Sequence, residues 1–434
     1  MPVNAKNGSP VVLIINFHST RNAGDLALLL SNRQLLQEAF GNPRIIVSAN
    51  WPDEEAYAEY GFEVVPSIST LCGVGSDQSP IIQILRLFRY YLRIINAKKS
   101  SGIIINEPKA PWQKVLNAYL EADLVVGVSG NQFHSSGKYG WPFPATIASV
   151  SLANKFKKPL YIMPQSIGPF NRRWEGKLLK REYNKGRKIY IRDSESKIIA
   201  KDIGLRDSLI EYSPDPAFDL PSLSKEKAIN LLRVNGVSID KPKLGVTLIS
   251  QMGRSLNKHE MNNYYKVLNN VLRQFLCKFD SQVVFFNQVT GPVQNEDDRI
   301  ETAKLCQQLK SEGFDVVHVD QEMRAYELKA CYGQMRAFLA SRLHSGIFSL
   351  GMYVPTVFIG YLSKTRGVLY SIGLDQNVID LTELNEDNLM EKLGQTWKNA
   401  DEERKILIQK IPLIQAASHA PAKYIKEDFF QSHA

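Results

Sequence analysis

The chain has 434 residues, 44% of them hydrophobic and 22% charged, with a formal net charge of +9. The length exceeds one ordinary core and points to two domains, and the composition excludes a disordered chain. Four scattered cysteines without a CxxC pair argue against a zinc site or a disulfide framework and fit a reducing cytoplasm.

The first apolar run, VVLIIN from Val11, is too short for an export signal and reads as a buried strand. After it comes NFHSTRNAGDLALLL, residues 16–30. A polar turn containing Asn22 and Gly24 leads into a helix expected to begin at Asp25 or just after. The free N–H groups of a helix start suit an anion or polar ligand, and a plain Asp cap is the alternative. A second strand, RIIVSA, starts at Arg44. The stretch Ile81–Lys99 has apolar residues at helical spacing with Arg86, Arg89 and Arg93 between them. It reads as a surface helix packed on its own domain, with docking to an anionic membrane face as the alternative. Elsewhere the basic residues are spread, which argues against nucleic acid as a partner. No run approaches eighteen apolar residues, so no membrane span is expected.

The strand DLVVGVS, from Asp123, feeds a Gly/Ser-rich loop, Gly127–Gly140, whose backbone could approach a ligand closely. His134 within it is either an acid–base group or a loop histidine. PLYIMP, from Pro159, runs into Gln165–Phe170 (QSIGPF), and KIYIRDSES, from Lys188, delivers Arg192 to a strand end. There an arginine suits bidentate capture of carboxylate or phosphate, or pairs structurally with an acid. Ser213-Pro214-Asp215-Pro216 leads into a polar stretch, Leu220–Lys243, and the domain boundary is expected within that stretch. The expected divisions are residues 1–220, 240–400 and a helical tail, 401–434. Strand runs of the second half are KLGVTLI from Lys243, QVVFFNQ from Gln282, FDVVHV from Phe314, RAFLAS from Arg336 and PTVFIG from Pro355. Strand and helix alternate throughout, the signature of parallel sheets covered by helices. Glu296-Asp297-Asp298 reads as a solvated loop with an outside option of touching a sugar hydroxyl.

The richest segment is RAFLASRLHSGIFSLGMYVPTVFIGYLSK, Arg336–Lys364. A strand brings Ser341, Arg342 and His344 to its carboxyl end and a helix starts near Ser345. The next strand brings Lys364 alongside. Two cations, a helix start and an imidazole able to exchange protons near neutral pH make an anion pocket with a proton donor. Neither DxD nor HExxH occurs, so no metal is expected.

The ordered series NxGD, Gly/Ser loop, SIGPF, RDSES, DPAF and SRLHSGI…GMYVP…Y..K resembles the polysaccharide pyruvyl transferase family, in particular its colanic-acid-type branch, from about Val11 to Gly373. The resemblance implies an α/β chain of two Rossmann-like domains facing a cleft (GT-B-like). It implies phosphoenolpyruvate as donor and a saccharide or lipid-linked saccharide as acceptor; apart from the resemblance, no cofactor is expected, and the expected location is the cytoplasm, with the inner face of the membrane as the alternative. Arg342, Lys364 (with Arg366 nearby) and Arg192 fall on the family's donor-binding positions. His344 becomes the proton donor, and Asp25, across the cleft, the acceptor's base. Leu343 and Ser345 beside the histidine, Asn22 in the turn and His134 in the loop complete the expected substrate contacts. Where many relatives carry consecutive glycines, this chain has Val128-Ser129-Gly130-Asn131, which affects the acceptor side. Two competing readings remain: a nucleotide-sugar glycosyltransferase of the same architecture, and a non-catalytic saccharide-binding protein.

Overall fold

Apolar runs without polar alternation must be buried on both faces, as in a parallel sheet sandwiched between helices. The computed structural model describes residues 9–100, 104–135, 140–250, 257–361 and 363–432. All ten expected runs are strands, distributed over two compact units. The first comprises Met1–Thr20, Leu28–Asp215 and His419–Ala434, and the second Arg21–Ala27 and Pro216–Ser418.

In the first unit β1 (Val11–Phe17), β2 (Arg44–Ala49), β3 (Glu63–Pro66), β4 (Leu124–Gly127), β5 (Gly130–Phe133), β6 (Leu160–Ile167), β7 (Lys188–Ile191) and β8 (Ile210–Tyr212) form one parallel sheet. Its order is β3-β2-β1-β4-β6-β7-β8, with β5 paired to β6. Leu13, Val125, Ile162 and Ile189 face a core that includes Tyr119, Val150 and Leu152 from the covering helices.

The second unit holds β9 (Lys243–Thr247), β10 (Gln282–Phe286), β11 (Val316–Val319), β12 (Ala337–Ala340), β13 (Thr356–Gly360) and β14 (Val378–Asp380). They run parallel in the order β11-β10-β9-β12-β13-β14, with Val246 opposite both Phe285 and Leu339. This is the doubly wound Rossmann order. The chain moves outward from β9 on one side and returns to β12 on the other, which makes the carboxyl ends of β9 and β12 the topological switch point, where such sheets bind ligands. The RLH segment lies directly after β12.

The four strands that the sequence does not announce are short. β3, β8 and β14 sit at sheet edges, where one side lacks a partner and little apolar surface is needed. The unit boundary falls at 215/216, upstream of the polar stretch 220–243. Two interactions divide the chain there. Asp215 is ion-paired to Arg192 in the first unit, while Lys329 Nζ donates to the Phe218 and Leu220 carbonyls at 2.7 and 2.6 Å in the second. Nor is 401–434 a separate tail. The helix Ala400–Ala417 belongs to the second unit, and Ala420–Gln431 returns to the first, where Tyr161 donates to Asp428 at 2.6 Å.

Candidate functional site

Arg342 is the extended N-cap residue of the helix Leu343–Gly351, so its side chain leaves the strand end freely while the next residues turn helical. The helix start is fastened beneath it. The Ser345 hydroxyl donates to the Arg342 carbonyl at 2.7 Å and shares a 2.7 Å hydrogen bond with Thr247 on β9. Tyr264 donates to Ser341 at 2.7 Å. Gly346 is required by packing, since a Cβ there would lie 1.9 Å from the Phe358 ring. The strand–helix turn is thereby locked in one orientation. Leu343 and Ser345, expected as substrate contacts, are both buried and serve this turn.

The guanidinium has a defined partner. Arg342 Nε and Nη2 donate to the two oxygens of Asp298 at 3.2 and 2.5 Å, and Nη2 reaches Ser250 Oγ at 3.4 Å. Asp298 is fully buried and also accepts the Ser250 and Val289 backbone N–H groups at 3.1 Å each. A bidentate pair of this kind fixes the plane of an arginine as well as its position. Burial weighs against the charge on Arg342, but Asp298 and the Tyr361 side chain outweigh it and hold the guanidinium protonated. Asp298 does not lie in a solvated loop, as its acidic surroundings suggested. It begins the helix Arg299–Ser311 without capping it, because its side chain is turned to Arg342. Only that position at a helix start marks it in the sequence.

The NxGD turn supplies the opposite wall within the same unit. Residues 21–23 pair antiparallel with the segment after β10. Asn22 bridges Val289, Ala23 N–H donates to the Gln288 carbonyl at 3.0 Å, and Thr290 N–H donates to the Arg21 carbonyl at 2.9 Å. The Gln288 side chain is anchored in turn by Tyr332, whose hydroxyl donates to it at 2.8 Å. The helix begins at Ala23, two residues before the expected start. Asn22 rather than Asp25 caps it, accepting the Gly24 and Asp25 N–H groups at 3.0 and 3.3 Å. Gly24 lies against the imidazole of His344: a Cβ built there would be 2.4 Å from Nδ1 and 2.7 Å from Cγ. The glycine of the motif is therefore the seat of the histidine. Asp25, expected across the cleft, is the next residue along and belongs to the unit that carries His344.

Lys364 is half-buried in the first turn of the helix Ser363–Ser371, which follows β13, the neighbour of β12. Arg366 in the same turn is paired with Asp380 at 2.7 Å.

Arg192 and His134 belong to the first unit. Arg192 is 1% exposed, ion-paired to Asp215, and donates through Nε to Ser166 at 3.0 Å. The structural pairing weighed for it in the sequence is what it makes, and the guanidinium is not presented to a ligand. SIGPF, RDSES and DPAF converge on this network. Asp193 caps the helix Ser194–Asp202, and the Ser196 hydroxyl takes the Ile167 N–H at 2.7 Å. His134 Nδ1 lies 3.1 Å from the Asn131 carbonyl, a local loop contact. Residues 136–139 of that Gly/Ser segment lie outside the described residues. Its upstream half is β5, tied down by Ser129, whose N–H and hydroxyl both bond the Asn32 side chain.

The model of a family described as polysaccharide pyruvyl transferase matches residues 22–363 of the chain. The amylovoran biosynthesis protein AmsJ of Erwinia amylovora is 22% identical over 408 residues, covering 90% of this chain and 93% of that protein. Among solved structures, a glycosyltransferase from Rickettsia africae superposes with a TM-score of 0.58 at 11% identity, covering 98% of this chain and 99% of that one. UDP-GlcNAc 2-epimerase from Neisseria meningitidis gives 0.57 at 11% identity, with coverages of 97% and 99%. Anabaena Alr3699/HepE gives 0.55 at 10% identity, with 98% and 99%. At such identities these likenesses speak for the fold, a two-domain α/β architecture of the GT-B kind.

Proposed function

The chain belongs to the polysaccharide pyruvyl transferase family, and from that premise we propose that it moves a pyruvyl group from phosphoenolpyruvate to a saccharide acceptor during exopolysaccharide synthesis. The observation that carries this reading is the grouping of Gly24, His344 and the Arg342–Asp298 pair in one unit, at the carboxyl ends of β9 and β12.

Phosphoenolpyruvate presents a carboxylate and a phosphate, and Arg342 and Lys364 are the cations offered to them. Asp298 sets the plane of Arg342 before the donor arrives. His344 gives a proton to the donor's methylene carbon, and positive charge develops at the adjacent carbon. An acceptor hydroxyl attacks there and loses its proton, for which Asp25 is the candidate base. A second hydroxyl of the same sugar then attacks that carbon, the bond to the phosphate oxygen breaks, and inorganic phosphate leaves. The product is a cyclic ketal of pyruvate. Two O–H protons are lost and one C–H bond is gained, so the second proton leaves with phosphate.

The test is thermal unfolding with phosphoenolpyruvate against a panel of nucleotide sugars. A ligand present at about one hundred times its dissociation constant adds roughly 2.7 kcal/mol to stability. Stabilisation by phosphoenolpyruvate, with phosphate release when a saccharide acceptor is added, supports the reading. Stabilisation by a nucleotide sugar alone would replace it with sugar transfer.

A further inference from the structure

The helix Pro80–Ser100 carries apolar residues on two faces, and among the described residues only one of them is packed against the fold. The inner face is set by Gln83, Leu87, Tyr91 and Ile94. Gln83 accepts the Trp141 indole N–H, Tyr91 shares a 2.6 Å hydrogen bond with Ser151, and Ile94 is fully buried. The outer face carries Ile81, Leu85, Phe88 and Leu92, which stand open to solvent, Phe88 at 67% and Ile81 at 70%. Large apolar residues at positions i, i+4, i+7 and i+11 make one continuous stripe, whereas isolated exposed residues would need no explanation.

Charge along the helix selects the occupant of that stripe. Arg89 and Arg93 follow one margin of it, both exposed, with the Arg93 guanidinium 5.7 Å from the Trp112 ring. Arg86 turns inward toward Gly73. The segment 80–100 contains no aspartate or glutamate at all. A second copy docking antiparallel through this face about a two-fold axis would set arginine against arginine. An anionic lipid surface instead accepts the apolar stripe among its acyl chains and the arginines at its headgroups. Among the described residues no helix is long and apolar enough to cross a membrane, so this helix would lie on the surface.

We infer that the outer face of Pro80–Ser100 docks the protein on an anionic lipid bilayer. The inference is independent of the reaction proposed above, because its readout is binding to lipid. The experiment is flotation of the full chain with vesicles of phosphatidylglycerol and phosphatidylcholine, and with phosphatidylcholine alone, at about 0.1 M salt. Wild-type protein is expected to float with the anionic vesicles and to stay behind with the neutral ones. Leu85→Ser/Phe88→Ser removes two exposed apolar side chains and lowers partition roughly tenfold or more with an unchanged unfolding midpoint. Arg89→Glu/Arg93→Glu reverses two charges and lowers it to a similar degree. Wild-type protein that fails to float with anionic vesicles overturns the inference, as does an apolar double variant that floats as well as wild type. If sedimentation equilibrium shows a dimer that Leu85→Ser/Phe88→Ser dissociates while no flotation occurs, the face belongs to a second copy and the inference fails.

Discussion

Replacing Gly24 by alanine adds one methyl group directly against the imidazole of His344. The new Cβ would lie 2.4 Å from His344 Nδ1, 2.7 Å from Cγ and 2.8 Å from Cβ. Non-bonded carbon and nitrogen settle at about 3.5 Å, so either the imidazole or the turn must retreat by roughly 1 Å. The backbone of Gly24 is not left-handed, and alanine in a first helical turn gains up to about 1 kcal/mol over glycine. Folding should therefore survive, and the displacement falls on His344. Misplacing a reacting group by about 1 Å costs on the order of a hundredfold in rate, or about 2.7 kcal/mol. The assay is phosphate release from phosphoenolpyruvate with a saccharide acceptor, alongside the thermal midpoint. Combining Gly24→Ala with His344→Ala should be no worse than His344→Ala alone, since both act through one side chain. Near-wild-type turnover of Gly24→Ala at an unchanged midpoint would refute the reasoning.

Three further outcomes are expected. Arg192→Ala leaves Asp215 buried without its partner and should lower unfolding free energy by about 3–5 kcal/mol in denaturant titration; a stable variant with impaired donor binding would return Arg192 to the site. Asp298→Asn removes the carboxylate that orients Arg342, so stability falls by about 3 kcal/mol and the KM for phosphoenolpyruvate rises; an unaltered KM would make the pair purely structural. Burial lowers the pKa of Lys329 to about 7 from its usual 10.5. The unfolded chain therefore binds more protons than the folded one between those values, and this group makes stability climb as pH rises through that window, by at most about 1.4 kcal/mol per unit. Lys329→Met should flatten the slope measured between pH 7 and 9, and an unchanged slope would show that the amine titrates elsewhere.

The strands were legible because each is an unbroken apolar run that could be satisfied only by burial on both faces. β3, β8 and β14 were not, since edge pairing asks for backbone hydrogen bonds and little side-chain burial. The boundary at 215/216 was hidden for a related reason. It is drawn by Asp215 pairing with Arg192 on one side and by Lys329 holding two carbonyls on the other, partners 23 and about 110 residues away. Arg192 itself shows the limit of reading one residue at a time. An arginine at a strand end suits a ligand or a buried acid equally well, and only the proximity of Asp215 decides between them. The turn at Arg342–His344, a strand end running into a helix start, could be read from the apolar run before it and the residue types that follow. That Asp298 aligns the arginine, and that Gly24 seats the histidine, depends on chain segments 44 and 320 residues away being folded against it. Local chemistry fixed which groups could act. Long-range packing decided what each of them faces.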